Sequence, residues 1–153
     1  MTVLATEINM YYFATFVIAF GTALAAIWIH LSVISLVLSR VKNVLWLTTL
    51  ILLAHVIEVK LYACVYFVLT HVGGFGEVLN ATTGARVEDW GTFTYYSYAV
   101  YTTLGFGDLV PVGLIRILTG IESVVGLALI AWTATFTYYR FNEARQINMG
   151  QSC

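Results

Sequence analysis

Thr102-Thr103-Leu104-Gly105-Phe106-Gly107-Asp108 is the stretch best suited to chemistry, and that chemistry is cation coordination. A cation leaving water for an apolar interior needs oxygen ligands in place of its hydration shell. Extended backbone supplies a ladder of them when successive carbonyls point the same way. Sustaining that geometry needs residues at positive φ, which glycine adopts without the penalty a Cβ brings. Gly105 and Gly107 stand at alternate positions, as such a ladder requires. The carbonyls of Thr103, Leu104, Gly105 and Phe106 would hold the ion, with the Thr103 hydroxyl as a further oxygen at the inner end. Gly107 and Asp108 would shape the outer end, with Thr102 in support. One strand cannot close a cage, so four copies around one axis are required.

A second group of reactive side chains lies inside long apolar stretches: His55, Glu58, Lys60 and Glu122. Ionisable residues at membrane depth are functional candidates by default. His55 and Glu58 are three residues apart and share a helix face. Lys60 lies about 200° round from Glu58 and points elsewhere. Two readings stay open for His55, Glu58 and Glu122: a proton-sensitive cluster behind the ladder, or a satisfied polar tie between helices. One His and two Glu without Cys make a poor transition-metal set, so no cofactor is expected beyond permeating ions. The two cysteines, Cys64 and Cys153, allow neither a disulfide framework nor a zinc motif. Without a nucleophile–base pair or a phosphate loop, an enzyme is not expected.

The elements that must position these groups follow from hydropathy. Hydrophobic residues make up 60% of the 153, charged residues only 10%, and the mean hydropathy is +0.87. Soluble domains carry roughly 25% charged residues, so the chain reads as an integral membrane protein. The net charge of −1 says nothing about nucleic acid, but there is no basic cluster to bind phosphates, so no nucleic-acid partner is expected. A spanning helix needs about 20 apolar residues, and residues 8–38, 44–70 and 114–139 qualify. The first is longer than a straight crossing needs, so it tilts or extends past the bilayer. It lacks a basic start and a small-residue cleavage site, which argues against a removed signal peptide. Arg40, Lys42, Arg140 and Arg145 fall on one side of three alternating helices. The positive-inside rule makes that side cytoplasmic and leaves the N-terminus outside. Arg86, outnumbered by Glu77, Glu88 and Asp89, is the exception on the outer side. Those carboxylates, with Asp108, are placed to concentrate cations or simply to be solvated, and Arg116 to snorkel or to pair with one of them.

Between the second and third spans, residues 71–88 form a loop. Asp89 then caps a helix over 89–101 that is too short to cross. It ends in the segment 102–108, so the chain enters the membrane and returns as irregular backbone. Such backbone must be buried in protein or line a water-filled path. The remaining parts are residues 1–43 (first helix and turn), an inner helix over 113–139, and a tail over 140–153.

The stretch YYSYAVYTTLGFGDLVP resembles, without a gap, the pore segment of tetrameric potassium channels. Residues 45–140 as a whole resemble small bacterial channels with a two-helix ion-channel domain, here preceded by one extra helix. The resemblance implies an all-α membrane protein: three transmembrane helices, a re-entrant pore helix and a selectivity filter, four chains forming one potassium pore in the cell membrane. Leu104 and Phe106 replace the family's usual Val and Tyr; the ligands are carbonyls, so both changes keep them, but Phe106 lacks a hydroxyl for the surrounding aromatic cuff. Ala99 stands where several relatives carry a Glu that binds the aspartate after the filter. Tyr96 is the residue expected to hold Asp108 instead. Gly126 corresponds to the inner-helix hinge, with Ile130, Ala134 and Tyr138 towards the cavity or gate. No helix carries the spaced arginines of a voltage sensor. The expected function is potassium conduction. The alternatives are a weakly selective cation channel and a non-conducting, pH-sensing regulatory subunit.

Overall fold

The computed structural model describes residues 2–40 and 43–150, with side chains for 6–39 and 43–146. The element order is α1 (Thr2–Arg40), α2 (Val44–Val72), β1 (Glu77–Asn80), α3 (Trp90–Tyr101), β2 (Leu109–Val112) and α4 (Ile115–Gly150). Three of the helices are long and apolar enough to cross a membrane: α1, α2 and α4. The protein is therefore a multi-pass membrane protein built on helices. The basic turn that includes Lys42 and the Arg40 side chain lies outside the described residues.

The helix ends follow from local chemistry. Asn43 starts α2 by accepting the Leu45 amide at 2.9 Å. Gly73, at φ 81°, ends it and returns its amide to the Leu69 carbonyl. Helix α1 packs along both α2 and α4, and the short α3 is wedged between α2 and α4. Tyr62, Tyr66, Phe93, Tyr101, Ile115 and Leu118 form the centre of the resulting core. A smaller cluster of Ile34, Val37, Leu47 and Ile51 joins α1 to α2. Only about a third of each spanning window is covered by the chain itself (33%, 28% and 33%). Apolar side chains such as Phe13, Trp28, Leu45 and Trp46 stay outside, as lipid contact allows.

Two features depart from expectation. Residues 71–88 are not simply loop: β1 pairs antiparallel with β2, Glu77 opposite Val112 and Asn80 opposite Leu109. This ribbon clamps the chain just after residues 102–108 to the loop that follows α2. Helix α4 also runs on to Gly150, through most of what hydropathy assigns to a tail at 140–153, helped by the Arg140–Glu143 pair at 2.6 Å. Polar residues end a membrane span without ending a helix.

Candidate functional site

Helix α3 aims the segment that follows it. At its start the Asp89 carboxylate accepts the Thr92 amide at 2.8 Å, and hydrogen bonds from Thr92 hold that carboxyl below its ordinary value. At its end the chain turns back on itself. The Thr102 amide and hydroxyl both reach the Tyr98 carbonyl (3.1 and 2.7 Å), the Thr103 amide reaches Val100 (2.9 Å), and the Gly105 amide reaches Ala99 (3.1 Å). The carbonyls of Tyr98, Ala99 and Val100 near the end of α3 are thus satisfied by the amides of Thr102, Gly105 and Thr103. Positive φ angles then recur at every second residue: Thr103 at 59°, Gly105 at 51° and Gly107 at 80°. The glycines were legible in the sequence; Thr103 was not. A β-branched residue in this region costs about 1–3 kcal/mol and persists only where its surroundings over-determine it. Residues 102–108 are all exposed on the single chain, Leu104 by 59% and Phe106 by 63%.

The outer end corrects one expectation. Asp108 is held by the Tyr95 hydroxyl at 2.9 Å, not by Tyr96. Tyr96, about 100° further round the helix, turns inward to Thr119 on α4 at 2.9 Å. Phe106 stacks on Tyr95, ring centres 6.3 Å apart and planes within 6°. Ala99 is buried and contributes only its carbonyl. The Asp108 carbonyl accepts the Ala81 amide at 2.8 Å, which ties the filter exit to the ribbon. Two more of the loop carboxylates are engaged: Glu77 by Arg86 at 3.0 Å, and Asp89 by its cap. Arg116 is exposed, and the loop's cation partner is Arg86, which also donates to the Thr70 carbonyl.

The buried ionisable residues of the spanning helices fall into two polar clusters rather than one. Glu122, fully buried on α4, accepts from Ser97 on α3 and from the Tyr66 hydroxyl on α2 at 2.6 Å. Ser97 also donates to the Val59 carbonyl at 2.9 Å. Glu58, fully buried on α2, belongs to the other cluster. Its Oε1 is 2.9 Å from His30 Nδ1 of α1; its Oε2 is 3.2 Å from His55 Nδ1 and accepts the Tyr101 hydroxyl. Thr133 Oγ1 of α4 lies 2.9 Å from His55 Nε2 and 3.2 Å from His30 Nε2. The expected grouping of His55 with Glu58 is present, but among the described residues no hydrogen bond joins them to Glu122. Lys60 does point elsewhere, to Thr94 at 3.2 Å and over the Trp90 ring at 5.5 Å. His30 is the residue sequence reasoning missed. Its signal was available: an imidazole within an otherwise uncharged span.

Gly126 has a packing reason to be glycine. A Cβ there would overlap the Tyr101 carbonyl oxygen and lie 2.9 Å from the carbonyl carbon and from ring Cγ. Helix α4 passes without a break at this point. Ile130, Ala134 and Tyr138, one turn apart, are all exposed on the single chain.

The arrangement is an outer helix, a short helix that stops mid-fold, a backbone ladder and an inner helix, all between residues 44 and 150. Residues 43–141 match the family model described as ion channel. No curated protein and no solved structure matches the chain. The match takes in the outer helix, the short helix, the ladder and most of the inner helix, and on that extent the chain belongs to the ion channel family.

Proposed function

We propose that four copies of the chain surround one axial pore and conduct K⁺ passively down its electrochemical gradient. The supporting observation is the alternation of left-handed backbone at Thr103, Gly105 and Gly107. With intervening residues in ordinary conformations, such alternation turns successive carbonyls to one side, which is how a potassium filter replaces a hydration shell. Exposure supports assembly with further copies. An irregular backbone bearing bare Leu104 and Phe106 needs protein around it at membrane depth, and neighbouring chains supply it. In this reading Thr103 to Phe106 hold the ions, and Gly107, Asp108 and Tyr95 fix the outer mouth. Ile130, Ala134 and Tyr138 line the cavity and gate, with bending near Gly126. The C-terminal end of α4 lies in the cytoplasm and the start of α1 outside, in the cell membrane.

The test is flux from liposomes holding the purified chain. K⁺ uptake that exceeds Na⁺ uptake and is blocked by Ba²⁺ is the expected result. Equal fluxes would replace this reading with the weakly selective channel, for which the absence of a hydroxyl on Phe106 is the motivating feature. No flux of either ion from folded protein, at pH 7 and at pH 5, would favour the non-conducting subunit.

A further inference from the structure

His30, His55 and Glu58 each offer a ligand atom within 4.8 Å of the other two. From these we infer a buried site for one divalent transition-metal ion of the zinc class per chain, bound by His30 Nδ1, His55 Nδ1 and the Glu58 carboxylate. It is independent of which ion the pore carries.

The spacing fits. Ligand bonds of about 2.0–2.1 Å around a tetrahedral ion separate neighbouring ligand atoms by about 3.3 Å. The carboxylate oxygens of Glu58 stand 2.9 Å from His30 Nδ1 and 3.2 Å from His55 Nδ1. The two imidazoles face each other with centres 4.9 Å apart. The Tyr101 hydroxyl, 2.9 Å from His55 Nδ1, closes the fourth side.

The proton inventory fits as well. Metal-bound imidazoles carry their remaining proton on the far nitrogen and give it to an acceptor that fixes the ring. Here both far nitrogens meet one atom, Thr133 Oγ1, at 2.9 and 3.2 Å. A hydroxyl oxygen has two lone pairs and accepts both N–H groups. In the metal-bound form Thr133 thus serves both rings at once.

Burial points the same way. Glu58 and His30 are fully buried, and a buried carboxylate is paired or coordinates a metal. The nearby ammonium, Lys60, is turned to Thr94 and Trp90. Two imidazoles and one carboxylate suit zinc, cobalt or iron(II). They are too few oxygens for calcium, and without thiolate they do not suit copper(I). The bound ion would staple α1 to α2 immediately behind Tyr101, the residue that ends the pore helix. That gives the extra first helix a mechanical role.

The experiment uses the full chain in detergent, tag removed and chelator-stripped, titrated with Co²⁺. Expected are one equivalent per chain, visible ligand-field bands of a tetrahedral nitrogen/oxygen site, and their loss on adding Zn²⁺. His30→Ala and Glu58→Gln should abolish the bands. Thr133→Val keeps every ligand and should weaken Co²⁺ binding by about 10–100-fold, the usual cost of removing such a partner. Should the ligand variants fail to fold, the wild-type titration and Thr133→Val still decide. No bands in folded wild-type protein would overturn the site, as would bands that survive unchanged in folded His30→Ala. Because the readout is metal and not flux, its failure leaves potassium conduction untouched.

Discussion

Adding one methyl group at Gly126 sets two effects of opposite sign against each other. Alanine is favoured over glycine inside a helix by about 1 kcal/mol. If Gly126 served only to let α4 bend, Gly126→Ala would stabilise the protein by about that much. The contact with Tyr101 says otherwise. The new Cβ would overlap the Tyr101 carbonyl oxygen and crowd the carbonyl carbon and ring Cγ at 2.9 Å. Neither partner has room to retreat: Tyr101 is 1% exposed, and its hydroxyl is held by Glu58 and His55. Overpacking a tight contact costs about 1–3 kcal/mol, and a backbone obstacle puts this one towards the upper end. The expected net is a loss of about 1–2 kcal/mol. Gly120 on the same helix is the control, because nothing lies within 4 Å of a Cβ there. Gly120→Ala should gain up to about 1 kcal/mol, so the two variants should separate by roughly 2–3 kcal/mol. Denaturant unfolding in micelles, followed by helical circular dichroism, measures the difference. Liposome flux should fall in Gly126→Ala alone, because the displaced Tyr101 immediately precedes the filter. Equal stabilisation by both alanines would refute the close-contact account.

Tyr95→Phe removes the hydroxyl that holds Asp108 and should reduce discrimination between K⁺ and Na⁺ in liposome flux, whereas Tyr96→Phe, whose hydroxyl binds Thr119 instead, should leave it in place. Glu122→Ala removes the acceptor shared by Ser97 and Tyr66 and leaves each its second partner, the Val59 carbonyl and the Thr119 hydroxyl, at about 1 kcal/mol per lost hydrogen bond; the midpoint of denaturant unfolding should fall, and less so in Glu122→Gln, which keeps one acceptor. Asp89→Ala should lower the unfolding midpoint and Asp89→Asn should not, since Asn caps equally well. Because the folded state depresses the Asp89 pKa, the charged cap's contribution is present above the ordinary aspartate value and lost as pH falls below it through the lowered folded pKa; the gap between wild type and Asp89→Ala should narrow in strong acid.

Hydropathy made the spans legible because apolar runs of that length have one use. The pore helix was legible from a single capping aspartate and from the glycines that had to follow it. What escaped has physical reasons. Residues 77–80 and 109–112 make a ribbon only by pairing with each other across 28 intervening residues, and neither is long enough to announce a strand alone. The choice between Tyr95 and Tyr96 turned on one step of helix rotation, which spacing alone does not resolve when both residues are tyrosine. The α4 boundary was missed because polar residues at 140–146 are as good for a solvated helix as for a tail. His30 was passed over because a span free of Asp, Glu, Lys and Arg reads as inert; its partners lie 25 or more positions away, on other helices.

Tyr101 shows why those distant partners matter to the filter. Its carbonyl end is pressed against Gly126 of α4, and its hydroxyl reaches Glu58 of α2, which in turn is bonded to His30 of α1. The next residue, Thr102, begins the segment proposed as the filter. All three spanning helices therefore bear on the one side chain that ends the pore helix. A phenylalanine there would fill the same space but leave Glu58 without its phenolic donor, and α1 would lose its polar route to the filter. The left-handed Thr103 two residues on needs just such an over-determined setting. A rigid ring anchored at both ends supplies it, and movement of any one spanning helix is then transmitted to the strained turn where the filter starts.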